Sequence, residues 1–145
     1  MRAVIQAVSS ASVRVEGGEP RAIGPGLVIL LGVKDTDTLD MVPRFAEKCA
    51  GLRIFHDENG KLNRSARDNG YSALVVSQFT LYGDTKKGMR PSFIRAAKPP
   101  LSVEAYELFL AEMAKQGLKE VQHGEFGASM QVSLVNEGPC TIVMD

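Results

Sequence analysis

Leu74-Val75-Val76-Ser77-Gln78-Phe79-Thr80-Leu81-Tyr82-Gly83-Asp84 decides how this chain is read. Its first half is an apolar, β-branched run, the composition of a strand buried on both faces. Its second half puts Ser77, Gln78 and Thr80 at the end of that strand, before Tyr82-Gly83-Asp84 breaks it. Polar side chains at the exit of a rigid core strand suit chemistry, because packing holds their backbone still. Strict alternation sends Gln78 and Thr80 to one face and Ser77 to the other. The three converge only if the strand twists or bulges there. Backbone N–H groups exposed at such a point can form an oxyanion hole.

Working outward, Ala3 to Val8 and Ser12 to Glu16 read as two strands, and Gly17-Gly18 as a hairpin turn to a return strand at Arg21 to Ile23. Leu27 to Val33 is a buried strand. Asp35-Thr36-Asp37-Thr38 offers several helix caps, and Leu39, Val42, Phe45, Ala46 and Cys49 recur at helical spacing. Pro43 fits only in a first turn, so that helix starts late. Leu52 to Phe55 is a strand, Asp57 to Gly60 a turn, and Lys61 to Gly70 a loop. Beyond Pro99-Pro100, Ser102 is a cap for a helix with Tyr106, Phe109, Leu110 and Met113 on one face, stopped by Gly117. Lys119 to His123, Met130 to Val135 and Cys140 to Met144 are three more strands, the last two joined by Asn136 to Pro139. The reading is α+β, mostly β with two main helices, in one domain over residues 1–145.

Composition removes several classes. A chain with 44% hydrophobic residues is not disordered, and 17 basic against 17 acidic residues argue against coating nucleic acid by bulk charge. A local patch survives that argument: Thr85 to Lys98 holds five cationic residues and no acid directly after the polar strand end. This is read as a phosphate-facing loop. Two cysteines form no disulfide framework, and Cys49 sits on an apolar helix face as a buried, inert thiol. The longest apolar run, Leu27 to Leu31, is too short for a bilayer, so the expected setting is soluble, reducing and cytoplasmic. His56 and His123 lack metal-ligand spacing, and no phosphate-cradling glycine loop is present. Residue types alone take the argument to acyl transfer without a metal, with a Ser77-histidine-aspartate triad as the weaker option. A conventional serine or threonine esterase acting on small esters and a non-catalytic binding module remain open at this point.

Ser77-Gln78-Phe79-Thr80-Leu81, Gly88-Met89-Arg90-Pro91-Ser92-Phe93, and Met130 to Asn136 followed by Gly138-Pro139 closely resemble the D-aminoacyl-tRNA deacylase family. Val4-Ile5-Gln6, Ala11-Ser12-Val13 and Gly51 to Phe55 match as well, so the resemblance spans the chain in register. It implies a homodimer with a mostly antiparallel, barrel-like sheet that hydrolyses the ester between a D-amino acid and the 3′-terminal adenosine of tRNA, without a cofactor. Glycine mischarged onto tRNA is left open as a second substrate. By resemblance Ser77, Gln78, Phe79 and Thr80 frame the scissile ester, with N–H groups near Phe79 and Thr80 on the oxyanion. Gly138-Pro139 would be cis and reach into the partner's site to reject L-aminoacyl esters, while Phe126 and Met130 line the adenine pocket. Two positions depart: Cys140 stands where the family usually has Val, and Ala7 where it usually has an Arg thought to orient the Gly-Pro loop. The second bears on chiral selectivity.

Overall fold

Alternation along a strand normally buries one face, but the middle of this sheet is buried on both. The computed structural model describes all residues, Met1–Asp145. Its strands are β1 (Arg2–Val15), β2 (Arg21–Ile23), β3 (Gly26–Gly32), β4 (Phe55–His56), β5 (Leu62–Arg64), β6 (Ser72–Ser77), β7 (Val121–His123) and β8 (Met130–Met144), with helices α1 (Val42–Gly51) and α2 (Leu101–Met113). The main sheet runs β2-β1-β3-β6-β7, and β8 pairs along the other edge of β1. The β1 pairings with β2, β3 and β8 are antiparallel, whereas β3–β6 and β6–β7 are parallel. The result is a single α+β domain with a nearly closed, barrel-like sheet and two helices, as expected.

On β3, Leu27, Ile29 and Leu31 join the larger core with Ala73 and Val75 of β6, under Val42, Ala46 and Cys49 of α1 and Tyr106, Phe109 and Met113 of α2. The intervening Val28, Leu74 and Val76 face the other way and pack with Val8, Ala11, Val13 and Ile23, where the sheet curls over itself. Two-sided burial is why these strands read as unbroken apolar runs. Gly26 opens β3 opposite Ser72, and a Cβ there would collide with the Ser72 carbonyl.

Several expectations need correction. The two N-terminal strands are one strand, β1, with register shifts between Gln6 and Val8 and between Val8 and Ser10. Bulges bend a strand without ending it, and Ser9-Ser10 looked like an end. The last two strands are likewise one, β8, because Val8 pairs with Asn136 and Gln6 with Thr141 while Glu137 to Cys140 bulge out. The expected strand at Leu52 to Phe55 is reduced to Phe55–His56, and the presumed loop at Lys61 to Gly70 contains its partner, β5. Ser102 is not a cap: Pro100 already has helical dihedrals (φ −81°, ψ −21°), so the helix starts at Leu101. The Ser102 hydroxyl is buried and unpartnered. Pro43 does sit in the first turn of α1, and Cys49 is fully buried, its thiol pushed up to about 12 by desolvation. No helix is long and apolar enough to cross a membrane.

Two phenols are coupled to this packing. Burial pushes Tyr82 and Tyr106 up to about 12, aided by Asp37 at Tyr82 and Glu125 at Tyr106. Their folded values lie above the unfolded value of about 10, so their contribution is complete below pH 10 and is lost as pH rises through 12. Thermal melts at pH 8 and pH 11 should show a lower midpoint at pH 11, and replacing Tyr106 by Phe should reduce that difference. An unchanged difference would mean Tyr106 does not contribute.

Candidate active site

The organising stretch does not run on as a strand. β6 stops at Ser77, whose predecessor Val76 is still paired with Leu30 of β3. Gln78 donates its N–H to Leu31 O (2.7 Å) and then turns to φ −142°, ψ 78°. Phe79–Tyr82 follows as a short 3-10 turn. The expected alternation of faces therefore fails after Ser77, and the turn, not a twist of the strand, gathers the polar groups. Gly32 makes this possible: a Cβ there would stand 3.2 Å from both Gln78 O and Leu81 Cβ. A side chain at that position would push the turn a few tenths of an ångström off β3.

Within the turn, Leu81 N–H bonds Gln78 O and Gly83 N–H bonds Thr80 O, while the N–H groups of Phe79 and Thr80 donate to no protein acceptor. Opening amides of a helical turn have no partner within it and carry partial positive charge. Gln78 Nε2 donates to Thr80 Oγ1 at 2.5 Å, which holds the hydroxyl beside those two amides. Ser77 and Gln78 are half-buried, whereas Thr80 is exposed. The Phe79 ring, 54% exposed, stands edge-on to Phe93 with centroids 5.3 Å apart. Phe93 comes from the loop after the turn, which is pinned by paired bonds between Asp84 and Ser92 (2.8 and 2.9 Å).

Phe126 and Met130 lie on the β7 side of the same strand exit. Gly124 N–H bonds Val75 O, and the Tyr106 hydroxyl lies 3.3 Å from both Val75 O and Gly124 O. The Phe126 ring rests 6.1 Å from Tyr106, and the Met130 thioether occupies the space a Cβ at Gly124 would need. Sequence reading passed over Gly32 and Gly124; an isolated glycine within or just after a strand pattern is the signal that finds them.

The triad does not form. Neither imidazole bonds Ser77, and His123 Nδ1 is 2.7 Å from the carbonyl of Gly124. No group of three or more metal-ligating side chains assembles either.

Gly138-Pro139 is a cis peptide, as expected, with Gly138 at φ 116°; Pro99-Pro100 is cis as well. The Gly-Pro pair lies at the crest of the β8 bulge, over a cavity lined in part by Ala7, Phe55, His56 and Cys140. Asn136 spans the foot of the bulge, donating Nδ2 to Ala7 O (3.0 Å) and Cys140 O (3.1 Å). β1 and β3 lie between this bulge and β6 in the sheet, and none of Ser77 to Thr80 lines the cavity beneath it.

The class is thus a small α+β domain presenting two free amides and a threonine hydroxyl at the exit of a parallel core strand. Its fold is similar to that of a solved "c-Myc DNA Unwinding Element Binding Protein", with TM-score 0.92, 40% identity and coverage of 100% of this chain and 98% of that one. It also matches a "probable eukaryotic D-amino acid tRNA deacylase" at TM-score 0.89, covering 99% and 97%, where 15% identity speaks to the fold alone. Among relatives, a D-aminoacyl-tRNA deacylase of Akkermansia muciniphila is 54% identical over all of this chain and 97% of its own. One of Roseiflexus castenholzii is 55% identical over all of this chain and 92% of its own. Residues 4–145 match the D-Tyr-tRNA(Tyr) deacylase family, and the chain belongs to it.

Proposed function

We propose that this protein hydrolyses the ester of D-aminoacyl-tRNA, releasing free D-amino acid and tRNA. The observation that carries the reading is the pair of unpartnered amides, Phe79 and Thr80, at a rigid strand exit. Attack on an ester carbonyl creates an oxyanion, and two preset donors stabilise it without reorganising. Thr80 Oγ, held by Gln78, positions the ester or its attacking water; Ser77 completes the polar rim. Phe126 and Met130 offer an aromatic face and a soft thioether to the terminal adenine.

No base contacts Thr80, whose only side-chain partner is the Gln78 amide. An uncharged threonine without a base is a poor nucleophile, whereas aminoacyl esters are already activated toward water. Thr80 is therefore a positioning group here, and no acyl-enzyme forms. Rapid quenching of a D-tyrosyl-tRNA reaction should recover the label only as free amino acid or intact ester. Label attached covalently to Thr80 would overturn this role.

The protein acts as a homodimer in this proposal, with Gly138-Pro139 of each copy entering the other's site. Two features support it: the bulge stands over a cavity that none of Ser77 to Thr80 lines, and Val132, Val135 and Val143 of β8 are left exposed. A wedge of backbone beside the ester would exclude an L side chain sterically and accept many D side chains. Free thiols at Cys49 and Cys140 accord with the reducing cytoplasm, where charged tRNA is found. The deciding experiment assays D- and L-tyrosyl-tRNA beside a chromogenic ester. Hydrolysis of the D-ester of tRNA alone is expected; hydrolysis of only the chromogenic ester would indicate a general esterase.

A further inference from the structure

We propose that a cation-lined cavity on the β1 side of the Phe79–Tyr82 turn binds the phosphodiester that precedes the terminal adenosine of the substrate. This rests on the reading of the turn as a site for the 3′ end of charged tRNA. The cavity holds about 430 Å³, and its walls include Arg2, Lys34, Lys86, Arg95, Tyr82 and Asp84.

Its cations are unequally committed. Arg2 lies 2.6 Å from Asp145 Oδ1, donates Nη1 to Leu81 O (2.9 Å), and stacks 4.9 Å over the Tyr82 ring. Arg95 Nε is 3.3 Å from Asp35 Oδ1. Asp84 turns Oδ1 toward its own loop, accepting the Lys86 N–H at 2.9 Å. The ammonium groups of Lys34 and Lys86 have no carboxylate partner. A chain of zero net charge thus concentrates two unpaired ammoniums and two oriented guanidiniums around one concavity. Such donors favour an anion with several acceptor oxygens, where charge-assisted bonds are strongest.

The walls are stitched in place. Asp35 N–H bonds Arg95 O and Ala97 N–H bonds Val33 O, both at 2.9 Å, tying the basic loop to the segment after β3. Arg2 grips the carbonyl of Leu81, one residue beyond Thr80, so the cavity begins where the candidate site ends. Position then selects the ligand. In a 3′-terminal nucleoside the base leaves the ribose at C1′ and the 5′-phosphate at C4′ through C5′. C1′ and C4′ flank the ring oxygen, so base and phosphate diverge toward different ends of the sugar. With the ester over Thr80 and the base toward Phe126 on the β7 side, the 5′-phosphodiester points to the β1 side.

The test compares 3′-O-(D-tyrosyl)adenosine with the same ester on cytidylyl-adenosine, and with a dinucleotide whose linkage is an uncharged methylphosphonate. The phosphodiester should raise kcat/KM by about tenfold, through KM, as expected for one good charge-assisted contact. The methylphosphonate should lose that gain. Lys34→Gln combined with Lys86→Gln should bring the ratio of the two natural esters close to one, and Lys34→Arg should keep it. On whole D-tyrosyl-tRNA the double variant should flatten the salt dependence by roughly 0.7 in slope per lost contact. A phosphodiester that gives no gain, a methylphosphonate that works as well, or a double variant that keeps the ratio would overturn this proposal alone. If neither these esters nor D-tyrosyl-tRNA is hydrolysed, the parent reading falls and this one with it.

Discussion

Replacing Phe79 by Pro should lower kcat for D-tyrosyl-tRNA by about 10²–10³-fold relative to Phe79→Ala, the usual cost of one oxyanion donor. Both variants lose the ring that meets Phe93, but only proline removes the Phe79 N–H. The backbone is suited to the change. Phe79 opens the 3-10 turn, where its N–H has no acceptor and proline is best tolerated. Gln78, at φ −142° and ψ 78°, stays clear of the α region that proline denies to its predecessor. A circular dichroism spectrum and melting midpoint matching the alanine variant would show that the fold survives. Equal kcat for the two variants would remove the Phe79 amide from the mechanism.

The largest effect on stability should come from Phe109→Ala. Phe109 is fully buried on α2 and meets Phe45 of α1 with ring centroids 6.4 Å apart. It sits where both helices press on the sheet, among Ile29, Val75 and Tyr106 of the same core. Removing a buried phenyl loses its transfer energy and leaves a cavity that the surrounding strands cannot close, about 3–5 kcal/mol in all. That is a large share of the 5–15 kcal/mol that typically holds a domain together. Denaturant titration should show the midpoint falling with little change in slope. A loss below about 1 kcal/mol would mean that α2 is not locked to the core through this ring.

The apolar runs Leu27 to Leu31 and Leu74 to Val76, the helical spacing of Tyr106, Phe109 and Met113, and the turn at Asp57 to Gly60 were all legible, because each is a local pattern. Polar residues after β6 were legible as a candidate site for the same reason. The break after Ser77 was not. Gln78 and Phe79 are acceptable in an extended chain; contact with Gly32 on β3 lets the turn form there. The unity of β1 and of β8 was equally hidden. Ser9-Ser10 and Asn136 to Pro139 carry the composition of loops, and only the pairing of Val8 with Asn136 makes them bulges.

Residue order alone therefore determined the strands of the core, the two helices, the polar stretch Ser77 to Thr80 and the family resemblance. Tertiary structure decided which amides are left free at Phe79 and Thr80, that Met130 packs on Gly124 and Phe126 on Tyr106, and that four cations from three segments share one cavity. The physical reason is range. Periodicity and turn chemistry act between near neighbours, whereas a free donor or a shared cavity depends on what distant segments leave unpaired when they pack.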